Sequence, residues 1–304
     1  MDRLDAMAVL VAVVDTGSLS AAGRKLGVPL PTVSRKLSDL EAYLETRLLT
    51  RSTRKQAPTE AGAAYVAACK RILEQVRDAE RAASSENVLP RGDLVVTAPI
   101  VFGRLHVLPV VNEFLAKFAD INVRLVLSDR NVHLIDDHVD LAVRIGVLQD
   151  SSMMAMRIGS VRHVVCASPD YLAHHGMPKA PDDLSVFPCV TFDALMSPVV
   201  WTFRDSFNQR PVPIHSRLSV NTAEAAIDAA IAGVGLTRVL SYQAAPAVAA
   251  GKLKIVLSGF EPDSLPINVV HLGQNLLPLK TRVFLDFLSM HMRQRATKVN
   301  LLAR

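Results

Sequence analysis

Several features that would mark an exported or membrane-bound protein are missing from this sequence. The 304 residues include only three cysteines, Cys69, Cys166 and Cys189, which are widely separated and odd in number. They form neither a disulfide framework nor the closely spaced pairs of a zinc site. No run of about 18 apolar residues marks a membrane span, and Asp2 and Asp5 interrupt any apolar signal peptide. We therefore expect a chain in the reducing cytoplasm, with no membrane partner.

Signatures of catalysis and of bound cofactors are also missing. There is no GxSxG nucleophile elbow, and the nine histidines show no HExxH-like spacing for a metal ion. His174 and His175 are adjacent, so on a helix they would point about 100° apart, which suits a single metal poorly. The Gly233–Gly235 segment lacks the further glycines of a dinucleotide site. We therefore expect no enzyme, no cofactor and no metal.

Positive charge is concentrated in one short segment. The net charge of the chain is +5, and residues 24–55 alone carry an excess of five, from eight basic and three acidic side chains. Such a patch attracts phosphate groups and releases counterions on binding. The alternative is a charged surface that contacts only solvent. The helix-turn-helix spacing around the patch favours binding to nucleic acid. The basic residues are Arg24, Lys25, Arg35, Lys36, Arg47, Arg51, Arg54 and Lys55.

Two short helical patterns within residues 20–44 flank a tight break of glycine and proline. Ser18 or Ser20 can cap the earlier helix, which ends at Gly27, and Pro31 lies in the first turn of the later helix. The later helix has a buried apolar stripe and a separate polar face. This arrangement is typical of a helix-turn-helix, whose second helix enters the major groove of double-stranded DNA. The stripe is Val33, Leu37, Leu40 and Leu44, and the polar face is Thr32, Ser34, Arg35 and Lys36.

The flanking segments predict a first helix, a hairpin and a long helix. The first helix has apolar residues at Leu4, Met7, Leu10, Val11 and Val14, and two short strands within residues 47–58 would form a wing. The long helix spans roughly residues 59–86. Packing on the same helix of a second subunit would cover its stripe, and packing within the chain is the alternative. The stripe is Ala61, Tyr65, Ala68, Ile72, Val76, Ala79 and Ala83.

Beyond a polar stretch that ends at Pro90-Arg91-Gly92, strand and helix patterns alternate. This alternation predicts an α/β fold with largely parallel sheets. Strands are expected at residues 94–97, 123–127, 139–143, 254–257 and 267–272. Helices are expected at 105–118, with Leu108, Val111, Leu115 and Phe118 inward, at 223–232 and at 278–292.

Motifs along essentially the whole chain resemble the LysR-type transcriptional regulators. The amino-terminal motifs are Leu19-Ser20-Ala21-Ala22, Pro31-Thr32-Val33-Ser34-Arg35, Leu40-Glu41, residues 47–54 and Thr59-Glu60-Ala61-Gly62. The later motifs are Ala98-Pro99, Phe102-Gly103-Arg104, residues 140–146, residues 150–152, residues 233–236, and Lys280 with Arg282-Val283-Phe284. The chain departs from the family pattern at Pro29-Leu30, where members usually carry Ser-Gln, and at Leu240, where proline is common.

The resemblance implies three parts. Residues 1–58 would be a winged helix-turn-helix, residues 59–90 a dimerising linker helix, and residues 91–304 a two-lobed effector domain similar to periplasmic binding proteins. The first lobe would comprise about residues 91–163 and 267–304, and the second about 164–266. The resemblance also implies a homodimer or homotetramer.

The expected contacts to DNA lie on the reading helix and the wing. Arg35 can donate two parallel hydrogen bonds to guanine, whereas hydroxyl groups and lysine more often hold phosphates. The full candidate set is Ser20, Thr32, Ser34, Arg35, Lys36, Arg51, Arg54 and Lys55.

The expected effector site is the cleft between the lobes, at the carboxyl ends of strands. A helix amino terminus there can hold a carboxylate, which favours a small organic anion, and the apolar segment at 99–102 leaves a more aromatic ligand open. The candidates are Ala98, Pro99, Ile100, Val101, Phe102, Ser128, Ile145, Gly146, Phe192, Asp193, Asn221, Thr222 and Thr237. The resulting prediction is a DNA-binding regulator that responds to a small molecule. A solute-binding protein with an attached amino-terminal helical domain is the alternative.

Overall fold

The computed structural model describes residues 2–50, 56–83, 89–130, 134, 137–148, 153–192, 200–205, 208–273 and 277–301. The chain forms two compact units, Met1–Leu89 and Pro90–Arg304, each with its own hydrophobic core. Four candidate binding residues, Arg51, Arg54, Lys55 and Asp193, lie outside the described ranges, and so do residues 150–152 of the family motifs.

The first unit follows the predicted order of helices and hairpin strands. Its elements are α1 (Arg3–Thr16), α2 (Leu19–Leu26), α3 (Leu30–Tyr43), β1 (Leu49–Thr50), β2 (Ala57–Pro58) and α4 (Glu60–Ala83). β1 and β2 pair antiparallel, which confirms the predicted hairpin strands. α4 begins where predicted, and residues 84–86 of the predicted helix lie outside the described part of the chain.

Local signals in the sequence fix the ends of the first helices. Ser18, not Ser20, caps α2, because its Oγ accepts the backbone N–H of Ala21 at 3.1 Å. Gly17 and Gly27 follow α1 and α2 with φ of 73° and 66°, a left-handed conformation that glycine adopts without steric cost. Pro31 lies at the start of α3, as predicted.

The structure shows how far the apolar residues of α1 and α4 are buried within the first unit. In α1, Leu4 is 40% exposed, and the buried residues include Val9 and Val13, because α1 packs against α2, α3 and α4 rather than against one neighbour. In α4 several members of the predicted stripe are exposed within the chain, as the prediction of packing on a second subunit requires. Among the α4 residues whose burial is described, Gly62, Val66 and Cys69 are buried in the unit, whereas Ala61, Ile72 and Ala79 are exposed.

The second unit alternates strands and helices. Its first part contains β3 (Gly92–Ala98), α5 (Ile100–Phe102), α6 (Leu108–Lys117), β4 (Ile121–Leu127), β5 (Leu141–Ile145) and β6 (Met153–Val161). Then follow β7 (His163–Ala167), α7 (Pro169–His175), β8 (Pro188–Phe192), β9 (Val200–Asp205), β10 (Asn208–Pro213), β11 (His215–Val220) and α8 (Ala223–Ile231). The last elements are β12 (Leu236–Leu240), α9 (Ser241–Ala249), β13 (Lys254–Val256), β14 (Leu265–Leu272) and α10 (Leu279–Leu301).

Two sheets, each of five strands among the described residues, organise the second unit. Lobe I contains the sheet β4-β3-β5-β14-β6 and lobe II the sheet β11-β8-β12-β7-β13. The chain crosses from lobe I to lobe II between β6 and β7, and it returns between β13 and β14. The α/β fold is confirmed, but the prediction of largely parallel sheets is wrong. Each sheet has two parallel and two antiparallel pairings, because the crossing strands run against their neighbours.

The helix after β3 differs from the predicted single helix at 105–118. It begins earlier, with α5, and continues through a π-helical turn at Gly103–Val107 into α6. A π turn holds one residue more than an α turn and so rotates the inward face. Of the predicted inward residues, Val111 is buried and Leu115 and Phe118 pack against the core, whereas Leu108 is 38% exposed. Val110 and Phe114 are also buried.

Candidate functional site

The polar face predicted for α3 is present on the surface of the first unit. Ser34 and Arg35 are exposed, Thr32 is half-buried, and Ser20 is exposed on α2. The opposite side of α3 is anchored in the core, where Val33 and Leu40 are fully buried. α3 therefore presents hydroxyl and guanidinium groups outward from a rigidly packed helix.

Ionic and hydrogen-bonded contacts hold α3 in place. The Nζ of Lys36 forms an ion pair with Asp5 of α1 and is half-buried. Glu41 accepts hydrogen bonds from the backbone N–H groups of Leu48 and Leu49, at 2.8 and 3.1 Å, which joins α3 to the hairpin. Lys36 thus ties α3 to α1, a role that the sequence did not indicate.

A cavity of about 310 Å³ lies between lobe I and lobe II. Its volume suits a small organic molecule. Five of the residues predicted for the effector site line it, namely Ala98, Pro99, Ser128, Ile145 and Phe192. Lobe I contributes the carboxyl ends of β3, β4 and β5, and lobe II contributes residues of β7, β8, β9, β12 and α9.

The other predicted effector residues do not line this cavity within the described part of the chain. Val101 and Phe102 are buried in the core, and Thr237 is fully buried on β12. Thr222 caps α8, since its Oγ1 accepts the N–H of Ala225 at 3.3 Å. The remaining members of this set are Ile100, Gly146 and Asn221.

Positive charge prevails on the cavity wall. Arg130, Arg144 and Arg238 line it together with the carboxylate of Asp129, whose Oδ1 accepts the N–H of Ile100 at 3.0 Å. A cavity with this excess of guanidinium groups favours an anionic ligand.

Lobe II contributes aromatic rings and neutral polar groups to the wall, beside Arg238. Arg238 lies 5.7 Å from the ring of Trp201, and its Nη1 donates a hydrogen bond to the carbonyl of Thr202 at 3.1 Å. Burial and the nearby charge of Arg238 lower the pKa of His163 to about 4, so this imidazole is neutral near pH 7. Burial also raises the pKa of Tyr242, which therefore keeps its proton. Apolar faces and neutral polar groups thus lie beside the guanidinium groups.

Comparison with known protein families gives one match in the amino-terminal part of the chain and another in the rest of it. Residues 4–63 match the family model described as bacterial regulatory helix-turn-helix protein, lysR family. Residues 87–293 match the LysR substrate binding domain. The chain belongs to the LysR family of transcriptional regulators.

Relatives within the LysR family match this chain over nearly its full length. An HTH-type transcriptional regulator of Xanthomonas campestris is 35% identical over 92% of this chain and 83% of its own. An HTH-type transcriptional repressor of Pseudomonas aeruginosa is 34% identical over 94% of this chain and 91% of its own. The solved structure of the LysR-type regulator CrgA from Neisseria meningitidis has a TM-score of 0.61 at 31% identity, over 95% of this chain and 98% of that one. Because these relatives are transcriptional regulators, the matches favour a regulator over the alternative of a solute-binding protein.

Contacts on one side of the cavity join the two lobes of this LysR-family protein. The rings of Phe102 and Tyr242 meet edge to face at 5.3 Å, and the ring of His106 lies 5.7 Å from that of Tyr242. Arg162 and Glu261, which lie on the two segments that cross between the lobes, form an ion pair at 2.5 Å. Tyr242, which lines the cavity, therefore makes a contact between the lobes that a change in lobe angle would alter.

Sequence reasoning missed the charged members of the cavity wall. A signal was present, because Arg144 interrupts an otherwise apolar strand and Arg238 lies in a strand whose other residues are apolar except Thr237. Across the described residues, no group of three or more histidine, cysteine or acidic side chains could hold a metal ion. Among the same residues, no helix is long and apolar enough to cross a membrane.

Proposed function

We propose that this LysR-family regulator recognises a specific operator by placing α3 in the major groove of DNA, under the control of a small organic acid bound between lobes I and II. One observation supports the DNA-binding part above all others. α3 lies in the segment that matches the helix-turn-helix model, and it exposes Arg35 and Ser34 above a buried stripe. The cavity would bind a ligand without chemical change.

Arg35 is the proposed reader of sequence. Its guanidinium can donate two hydrogen bonds to O6 and N7 of guanine, a pairing worth about 1–3 kcal/mol of discrimination. The proposed contacts to phosphate, which set register, are Ser20, Thr32, Ser34, Arg51, Arg54 and Lys55. Lys36 also remains a candidate, but a contact with phosphate requires its ion pair with Asp5 to open.

Paired binding measurements test the role of Arg35. Arg35→Ala should weaken binding to the selected operator by about 10- to 100-fold and binding to random DNA much less. Arg24→Ala is the control, because Arg24 is also exposed, at the end of α2, and should affect both DNAs about equally. An equal loss on both DNAs for Arg35→Ala would make Arg35 a phosphate contact.

A small organic acid is the proposed effector because the wall carries three arginines and one carboxylate. The proposed contacts from the sequence are Pro99, Ser128, Ile145 and Phe192, joined by Arg130, Arg144, Arg238 and His163. Trp201 and Tyr242 provide aromatic faces that suit a ring-bearing acid. The other residues predicted for the effector site would act by supporting the wall and not by contact with the ligand. They are Ile100, Val101, Phe102, Gly146, Asn221, Thr222 and Thr237.

Calorimetry with a panel of aliphatic and aromatic carboxylates, together with matched amines, tests this effector class. We expect carboxylates to bind and amines not to bind. Arg144→Gln and Arg238→Gln should each weaken carboxylate binding by about 10- to 100-fold, since each removes a charge-assisted hydrogen bond. Arg204→Gln, on β9 outside the cavity wall, should leave it unchanged. Preferential binding of amines would contradict the proposal.

We also propose that residues 1–58, 59–90 and 91–304 act as DNA-binding, linker and effector parts, and that α4 pairs with its counterpart in a second chain. Support comes from Ala61, Ile72 and Ala79, apolar residues of α4 that are exposed in the chain. Ile72→Glu should shift the mass measured by light scattering toward the monomer, whereas Arg77→Glu, on another face, should not. An unchanged mass for Ile72→Glu would exclude this pairing.

A further inference from the structure

The amino-terminal tip of α3 is apolar, although it belongs to the helix proposed to read DNA. Pro29 precedes the helix, and Leu30 and Pro31 are its first two residues. All three are exposed, and Leu30 is 46% exposed despite its large aliphatic side chain. Leu30 is also absent from the described core of the first unit. Its side chain is therefore presented outward instead of stabilising the fold.

The tip offers few hydrogen-bonding groups to a base or a phosphate. The backbone N–H groups of Thr32 and Val33 both donate to the carbonyl of Pro29, at 3.0 and 3.2 Å. Pro31 has no N–H group, and no side chain caps the helix. The surface around Leu30 is thus mainly hydrocarbon, whereas the exposed groups one turn later, on Ser34 and Arg35, are polar.

The backbone of the tip is held close to α2. A Cβ atom added at Gly23 would lie only 2.8 Å from the carbonyl oxygen of Val28 and 3.8 Å from the backbone nitrogen of Leu30. The two prolines restrict φ on either side of Leu30. The leucine is therefore displayed on a stiff support, which favours contact with a fixed partner.

We propose that Leu30 is a specificity-determining residue that contacts the C5-methyl group of a thymine in the operator. This inference rests on the proposed entry of α3 into the major groove. Residues near the amino end of a recognition helix contact base edges. In the major groove those edges present hydrogen-bond donors and acceptors, and the thymine methyl is the apolar group among them. An aliphatic side chain on a tip with few free donors matches that group.

Packing of Leu30 on deoxyribose is the competing arrangement, and replacing thymine by deoxyuridine distinguishes the two. This replacement removes the methyl group and leaves every hydrogen-bonding atom of the base in place. The full-length protein is first used to select a binding site from random duplexes. Each thymine of the selected half-site is then replaced singly by deoxyuridine, and the dissociation constants are measured by fluorescence anisotropy.

We expect one position at which the wild-type protein loses about fourfold in affinity per half-site, the value for removing one buried methyl group. Leu30→Ala should bind the thymine-containing site more weakly and should be indifferent to deoxyuridine at that position. Leu30→Met should retain the discrimination. Leu26→Ala is the matched control, since Leu26 is 38% exposed at the end of α2 and should leave the wild-type pattern unchanged.

Two results would overturn the inference while leaving the proposed function intact. One is a selected site at which no thymine shows a methyl effect. The other is a Leu30→Ala protein, folded by circular dichroism, that still discriminates thymine from deoxyuridine as the wild type does. Failure to select any site would overturn both, and it is a different observation from selected binding without a methyl effect.

Discussion

Acidification should destabilise the second unit through one half-buried imidazole. His163 begins β7 and lines the cavity, where burial and the charge of Arg238 lower its pKa from 6.5 to about 4. In the unfolded chain the same group titrates near its ordinary value. Between these two values the unfolded state binds more protons than the folded state. The stability conferred by neutral His163 is therefore complete above about pH 6.5 and is lost as the pH falls toward 4.

The size of the effect follows from the two pKa values. Going from about pH 7 to about pH 5 should lower the free energy of unfolding by about 2 kcal/mol through this residue alone. For a unit of this size the corresponding fall in melting temperature is about 6 °C. Partial exposure of the ring makes these values upper limits, because solvent screens part of the shift.

Differential scanning calorimetry across this pH range measures the effect. The wild-type protein is compared with His163→Gln, which does not titrate, and with His174→Gln, which removes an exposed histidine of the same lobe. We expect His163→Gln to lose about 2 kcal/mol less on acidification than the wild type, and His174→Gln to follow the wild type. Parallel pH profiles for the wild type and His163→Gln would refute the reasoning.

Three further predictions concern the cores and the thiols. Phe114 lies 4.6–5.3 Å from three other phenylalanine rings. Phe114→Ala should therefore cost about 3–5 kcal/mol in denaturant unfolding, and a loss below about 1 kcal/mol would contradict this packing. Gly62→Ala should destabilise the first unit by about 1–3 kcal/mol, because its Cβ would lie 1.9 Å from the backbone oxygen of Leu48; an unchanged melting temperature would argue against that close approach. Burial raises the pKa of the three cysteines to about 11 or about 12. Iodoacetamide at about pH 8 should thus label them only after unfolding, and rapid labelling of the native protein would contradict their burial.

The helix-turn-helix could be predicted from sequence because its signals are local. The left-handed stop at Gly27, the early Pro31 and the i, i+4, i+7 stripe beginning at Val33 each act within a few residues. The ion pair of Lys36 with Asp5 was not predictable in the same way, since its partner is 31 residues away. A polar residue on a helix face can bind DNA or a neighbouring helix, and only the packed structure shows which contact it makes.

The sequence predicted a cleft between the two lobes, but it did not predict the positive charge of the cavity wall. Alternation along β12 places Thr237 and Arg238 on opposite faces of the sheet, and the sequence does not say which face meets lobe I. Thr237 was chosen, whereas Arg238 lines the cavity and Thr237 is buried.

Whether neighbouring strands run parallel or antiparallel also depends on pairing between segments that are distant in the sequence. β14 inserts antiparallel between β5 and β6, more than a hundred residues after them, which the local alternation of strands and helices does not encode.

The central claim is that α3 and the basic segment around it bind duplex DNA. The most direct measurement is fluorescence anisotropy of the full-length protein with duplex fragments from its own genome, titrated at salt concentrations from about 50 to about 200 mM. If six phosphates are neutralised by a bound pair of chains, the affinity should fall by about a thousandfold over this range. Absence of binding to every fragment, or binding that does not change with salt, would contradict the account.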